Sequence, residues 1–344
     1  MPTVGIITRT HNRPELLKRA VASVGSQSFD DYVHLIVNDR GEPQPVWSIV
    51  DALPESQRQR TEIIQLEEPP LGREGVVNPG LSRAHELHTD FCVVLDDDDS
   101  WEPDFLEATT QCLEENPQFV AVATQSNVIY ERVDTCGIQE EKRELLAADK
   151  TFVTLEDTLV ENYVPPVALL FRTALLEKLH GWDASLPVLA DWDFMLRLLL
   201  EGKVFYLLRP LANWHHRLEA TGDLGNSIVV EANNHEVYHT LIRDNYLRML
   251  GEKNQPLGQK LALPLLLAHH QRLIQEELQD FHKSEALHSE QIKAHLHLQI
   301  YELEKQIKDL SEQVSTLTQM LFAVNARLDS RFFSRLRRFF KKKA

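Results

Sequence analysis

The run Phe91-Cys92-Val93-Val94-Leu95 leads directly into four consecutive carboxylates, Asp96 to Asp99. A short apolar stretch that stops at such a cluster has the pattern of a buried strand ending at a surface. Carboxylates there crowd one edge of a sheet. Like charges held so close repel unless a hard cation, a diphosphate held through one, or solvent relieves them. Ser100-Trp101-Glu102-Pro103 then turns the chain toward a helix. That sets the cluster at the carboxyl edge where open α/β sheets bind ligands, and argues against a merely solvated acidic loop.

The first hundred residues repeat this rhythm. Apolar runs at Val4 to Ile7, Val33 to Val37 and Ile63 to Leu66 precede the one at Phe91. Between the first two lies an amphipathic helix that opens at Pro14 and carries Leu17, Ala20, Val21 and Val24 on one face. Strand, turn, helix and strand within about forty residues predict a parallel crossover, and so an α/β fold. Further on, Phe119 to Tyr130 holds one or two strands, and residues 137 to 162 fit no element clearly. Val167 to Phe171 has a strand's pattern, and Asp191 opens a helix whose Trp192, Met195, Leu196 and Leu199 share a face.

Taken in order, Thr8-Arg9-Thr10-His11-Asn12-Arg13-Pro14-Glu15-Leu16-Leu17, Val37-Asn38-Asp39, Asn78-Pro79-Gly80, Leu95 to Trp101, and Asp191-Trp192-Asp193 with Leu196-Arg197-Leu198 resemble glycosyltransferase family 2. Each motif alone is weak, but five in order over roughly residues 2 to 245 are specific. The resemblance implies a GT-A fold, a Rossmann-like nucleotide-binding α/β domain with a mixed sheet. It also implies transfer of a sugar from a nucleotide-sugar donor with inversion at the anomeric carbon.

Carried over residue by residue, it makes Asp39 the acid that hydrogen-bonds the nucleotide, with Arg9 and Thr10 on the same edge. The family's Asp-x-Asp falls on Asp96-Asp97-Asp98. Asp98 is then the metal ligand for Mn2+ or Mg2+ and Asp96 the sugar or ribose contact; Asp97 counts with Asp96 among the nucleotide-sugar contacts, or with Asp99 does no more than shape the turn. Asp191 takes the place of the general base that accepts the acceptor's proton, although Ala190 stands where relatives carry Glu. Of His215 and His216, adjacent on a strand, at most one can face the diphosphate, and His216 is the candidate. Trp182 and Trp192 are acceptor-stacking or core residues; Arg73 and Arg83 are phosphate contacts or solvated. An Asp39 that only stabilises its turn, or an Asp191 that only caps its helix, are the plain alternatives.

Other activities fit less well. A sugar-phosphate nucleotidyltransferase needs a glycine-rich phosphate loop, and Thr8 to Pro14 contains no glycine. A non-catalytic membrane-associated coiled-coil scaffold would have no use for carboxylates at Asp39, Asp98 and Asp191.

Beyond residue 245 the texture becomes continuously helix-forming. A connector over 246 to 290 leads to unbroken heptads over 291 to 328, with Ile300, Ile307, Val314, Leu321 and Leu328 at a, and Leu296, Leu303, Leu310, Leu317 and Val324 at d. β-Branched a residues with Leu or Val at d favour a parallel homodimer, against a helix packed on its own domain. Residues 329 to 344 form a basic amphipathic tail with Phe332, Phe333, Leu336, Phe339 and Phe340 on one stripe, suited to an anionic membrane surface. The chain carries a net charge of −16 and its last fourteen residues hold seven cations and no acid. The remaining body is therefore strongly acidic and repels nucleic acid. Three cysteines without metal or redox spacing, and no signal-peptide pattern at Met1-Pro2-Thr3-Val4, lead us to expect a reduced protein. Its expected location is cytoplasmic, peripheral at the inner face of the cytoplasmic membrane, where glycan or lipid-linked acceptors are extended.

Overall fold

The computed structural model describes residues 1–67, 72–134, 137–217, 232–249 and 256–341, with side chains no further than Met320. Cys136, the Arg73 side chain, the heptad side chains of Leu321, Val324 and Leu328, and the side chains of the aromatic and basic tail lie outside these residues. The chain divides into two compact units, residues 1–272 and 273–344.

In the first unit, a nine-stranded sheet among the described residues runs in the order β3-β2-β1-β4-β8-β6-β9-β5, with β7 paired to β6. The strands are β1 Val4–Thr10, β2 Tyr32–Asp39, β3 Thr61–Leu66, β4 Phe91–Val94, β5 Ser100–Trp101, β6 Phe119–Asp134, β7 Gly137–Leu145, β8 Leu169–Arg172 and β9 Lys203–His216. β1 lies between β2 and β4, parallel to both, and β3 extends that parallel half. β8 runs antiparallel to β4 and to β6, while β6 and β9 are parallel to each other. The sheet is therefore mixed, as the resemblance implied, and α/β as the rhythm implied. The stretch from Phe119 is one long strand, and its hairpin partner β7 takes up the first part of the sequence that fitted no element. β7 is largely charged and exposed along its length, so it lacks the apolar pattern of a buried strand.

Helices cover the sheet. α1 Pro14–Gly25 begins with proline, whose fixed φ suits a first turn, and buries Leu16, Leu17, Ala20, Val21 and Val24. α2 Pro43–Asp51 buries Val46, Ile49 and Val50 in a small cluster with Leu17, Val21 and Ile36. α3 Val77–Glu86 lies so close to the sheet that a Cβ on Gly80 would stand 2.5 Å from Ile7 Cγ2. Its Asn78 side chain latches a distant turn, accepting from Trp182 N–H and donating to Trp182 C=O, both at 2.9 Å. The Asn-Pro-Gly motif is thus explained by packing. α4 Phe105–Glu115 and α5 Leu155–Val160 complete the outer layer.

α6 Ala190–Glu201 is buried almost all round, with Trp192, Phe194, Met195, Leu196 and Leu198 in the core and Arg197 paired to Asp193 at 2.8 Å. α7 Ala232–Met249 adds Ile242 and Tyr246 to the same core. From the last helix, α8 Pro256–Lys341, the first unit takes Leu261, Ala262, Leu265 and Ala268.

The second unit is the rest of α8. Its a and d side chains from Leu296 to Leu317 are half to two-thirds exposed, from 48% at Ile300 to 65% at Ile307. Among the described residues no helix is long and apolar enough to cross a membrane.

Candidate active site

The carboxyl ends of β1, β4 and β9 meet at one edge, and an arginine network fixes the four aspartates there. Leu95 still hydrogen-bonds Ile7, then Asp99 N–H bonds Asp96 C=O at 3.1 Å and turns the chain. Arg9, at the end of β1, grips Asp96 with two nitrogens at 2.6 and 3.2 Å. Asp97 is buried, accepting from Thr10 Oγ1 at 2.7 Å and pairing with Arg13 at 3.1 Å. Asp98 receives Arg13 at 2.8 Å and the fully buried Arg217 at 2.5 Å. Asp99 accepts the His215 backbone N–H at 3.0 Å.

These environments separate four chemically identical side chains. Burial pushes the Asp97 carboxyl up to about 7 even though Arg13 opposes it. Burial acts on Asp98 too, but the Arg13 and Arg217 charges outweigh it and bring that carboxyl down to about 2. Asp99 is raised well above the ordinary range by burial and by the charge of Asp98. Asp98 is therefore firmly ionised where Asp97 and Asp99 are held toward the neutral form, and Asp96, held by Arg9, faces the cleft beside it.

That cleft, about 280 Å³, is lined by Arg9, Glu74, Asp96, Asn162, Asp191 and His239 among others. Asp191 is the second residue of α6. It follows Leu189, whose left-handed backbone (φ 66°) turns the chain sharply into the helix. Asn162 Nδ2 donates to Asp191 Oδ2 at 3.0 Å and fixes the carboxylate's orientation. Burial and the nearby Glu74 charge raise Asp191 to about 6, and the helix-end N–H of Trp192 only partly counters them. At neutral pH it is ionised, with the affinity for a proton that a base needs.

Asp39 ends β2 on the same carboxyl edge; its side chain pairs with Arg40 at 3.0 Å and its carbonyl bonds the His11 ring. His215 is tied down by Glu131 at 2.7 Å and Ser100 at 2.8 Å. His216 packs between Tyr130 and Trp214, and its Nε2 is buried without a hydrogen-bond partner. Trp192 is fully buried, with its N–H on Thr158 C=O at 2.7 Å, and serves the core rather than a sugar. Trp182 lies beneath Arg9, 5.2 Å from the guanidinium carbon. Arg83 pairs with Glu62 and Glu86.

The structure adds residues that sequence reasoning passed over. Glu74 is 5% exposed and 3.4 Å from Arg9. Glu131 collects Arg19, Arg217 and His215 behind the aspartate turn. Arg13 lay in plain view inside the first motif, but Glu74, Glu131, Asn162 and Arg217 stand in segments whose local pattern marks nothing.

The profile described as glycosyl transferase family 2 matches residues 5–177. Among curated proteins, the chain is 25% identical over 194 residues to the succinoglycan biosynthesis protein ExoW of Rhizobium meliloti, covering 54% of this chain and 59% of that one. It is 28% identical over 202 residues to the uncharacterized glycosyltransferase YwdF of Bacillus subtilis, covering 58% and 69%. Among solved structures, S. aureus TarS 1-349 in complex with UDP-GlcNAc superposes with a TM-score of 0.54 at 17% identity, over 78% of this chain and 72% of that one. The mannosyltransferase PcManGT from Pyrobaculum calidifontis, in complex with GDP-Man and Mn2+, gives 0.52 at 16%, over 78% and 70%. The mixed sheet is the fold of these neighbours, and the family profile spans half the chain with the aspartate turn inside it: the chain belongs to glycosyl transferase family 2.

Proposed function

We propose that this chain transfers a sugar from a nucleotide-sugar donor to a hydroxyl of a glycan or lipid-linked acceptor during polysaccharide synthesis, with a divalent cation. The observation that carries the reading is the single cleft holding the Arg9–Asp96 pair beside Asp191. A carboxylate near pKa 6 and a fixed cationic edge are the two things an inverting displacement requires. The ExoW name supplies the pathway class, and the UDP-GlcNAc and GDP-Man complexes of the structural neighbours supply the donor class.

In this mechanism Asp39 and Thr10 bind the nucleotide at the ends of β2 and β1, while Asp96, steadied by Arg9, holds the sugar or ribose. Asp191, oriented by Asn162, removes the proton from the attacking hydroxyl. Asp98 Oδ2 is taken by Arg13 and Arg217, so a hard divalent cation would be held by its other oxygen and by the unpartnered Nε2 of His216, whose ring feels the Asp98 charge. Among the described residues no cluster of three or more such ligands exists. Mn2+ or Mg2+ would therefore complete its shell with donor diphosphate and water. When bound it neutralises the charge that grows on the leaving diphosphate.

A screen of nucleotide sugars for donor hydrolysis, with and without Mn2+, tests the reading. Turnover of none, together with no nucleotide binding, would overturn it.

The exposed apolar seam of the second unit favours a parallel homodimer, and the cationic aromatic tail favours residence at the inner face of the cytoplasmic membrane. Catalysis would then belong to residues 1–245 and placement to the remainder. Deleting residues 329–344 should release the protein from anionic liposomes; undiminished binding would remove the membrane assignment.

A further inference from the structure

Basic side chains gather where α7 and α8 join the first unit. His235, His239 and Arg243 recur at four-residue spacing and share one face of α7, and His269 and Arg272 share a face of α8. The other four all lie within electrostatic reach of His239. Arg243 is 4% exposed, and its Nε, Nη1 and Nη2 have no hydrogen-bond partner. The neighbouring His239 Nδ1 is likewise buried and unpartnered. The Arg243 guanidinium rests over the Trp192 ring at 5.6 Å, and that ring also meets His239 at 4.2 Å. The aromatic face offsets part of the charge but accepts none of the in-plane N–H groups.

Burying a guanidinium without an acceptor is costly, and an arginine does not escape by losing its proton. Burial and Arg272 bring Arg243 down only to about 10, so it stays charged at neutral pH. The orphaned guanidinium N–H groups of Arg243, beside an unpartnered histidine nitrogen, are what an anion would satisfy.

We propose that this cluster binds a phosphate group carried by the acceptor. His235 and His239 line the same cleft as Asp96 and Asp191, and an anion there would reach past His239 to the orphaned N–H groups of Arg243. Trp192 follows Asp191 in α6, which ties the anion's place to the base. The donor diphosphate belongs to the turn at Asp98, which does not line that cleft. An acceptor phosphate held here would anchor a hydroxyl-bearing chain with its reacting end at Asp191; this part rests on the transferase reading above.

The test uses the full-length protein and inorganic phosphate, with sodium chloride of equal ionic strength as reference. Phosphate should raise the wild-type thermal midpoint by several degrees, and its apparent affinity should fall at least tenfold in Arg243→Met. His239→Gln carries the same test should the first variant not fold. Saturating UDP or GDP should leave the phosphate effect in place. No shift in wild type, equal shifts in wild type and both variants, or loss of the shift under nucleoside diphosphate would each overturn the proposal. The titration requires no turnover, so it fails or succeeds independently of donor hydrolysis, which tests the transferase reading.

Discussion

The Arg217 guanidinium, fully buried just beyond β9, donates to the Asp98 carboxylate at 2.5 Å and so ties the last strand of the domain to the turn after β4. Its second hand holds Glu131 at 3.0 Å. Arg217→Met leaves both acids buried without that cation, and should destabilise the protein by about 3–5 kcal/mol. Because Asp98 is depressed to about 2, the pair contributes fully above the unfolded value near pH 4 and loses its contribution as pH falls toward 2. Urea unfolding at pH 7 and at pH 3 should give a smaller deficit for the variant at the lower pH.

Asp191 should carry the proton transfer. Asp191→Asn keeps the shape and removes the base, so kcat should drop by about 100- to 10,000-fold while donor binding persists. In the wild type the ionised fraction declines as pH falls through about 6, and kcat/KM should fall with it. A pH–rate profile flat from pH 5 to 8 would exclude this residue as the base.

Arg9 positions Asp96 from two nitrogens. Arg9→Gln should weaken donor binding more than it slows the bound complex, raising KM for the nucleotide sugar by about tenfold, the size of one charged hydrogen bond. Steady-state kinetics with varied donor separate the two effects.

Gly80 sits in a helix, where alanine is ordinarily favoured. Its missing Cβ is what lets α3 approach Ile7, so Gly80→Ala should destabilise by about 1–3 kcal/mol despite the gain in helix propensity. Thermal melting checks the sign.

If the seam of α8 pairs two chains, a protein ending near residue 290 should sediment as a monomer and the full chain as a dimer. Equal masses would show that the seam does not join copies.

Much of the parallel half was legible because each strand there is a short apolar run and α1 has a single apolar stripe. The exposed strand β7 was not legible, since a strand with polar residues on both faces has no period to read. The carboxylates Asp96, Asp98 and Asp191 stood out by their motifs. Their partners did not: Glu74, Asn162, Glu131 and Arg217 act across tens of residues of chain, and only the folded contacts give them meaning. Four aspartates in a row also carry no sign of which is ionised. That distinction comes from how many guanidinium groups each one meets.

The reversed strand β8 divides the labour of the sheet. Because it runs against its neighbours, the segment before it, with Asn162, arrives at the carboxyl edge, while the segment after it leaves from the opposite edge beside Asp90. The parallel half that carries Arg9 and Asp96 is thus laid down within the first hundred residues, and the surroundings of Asp191 are assembled afterwards. If the proposed roles hold, substitutions around Asn162 and Asp191 should alter the recipient while leaving the Arg9–Asp96 edge intact.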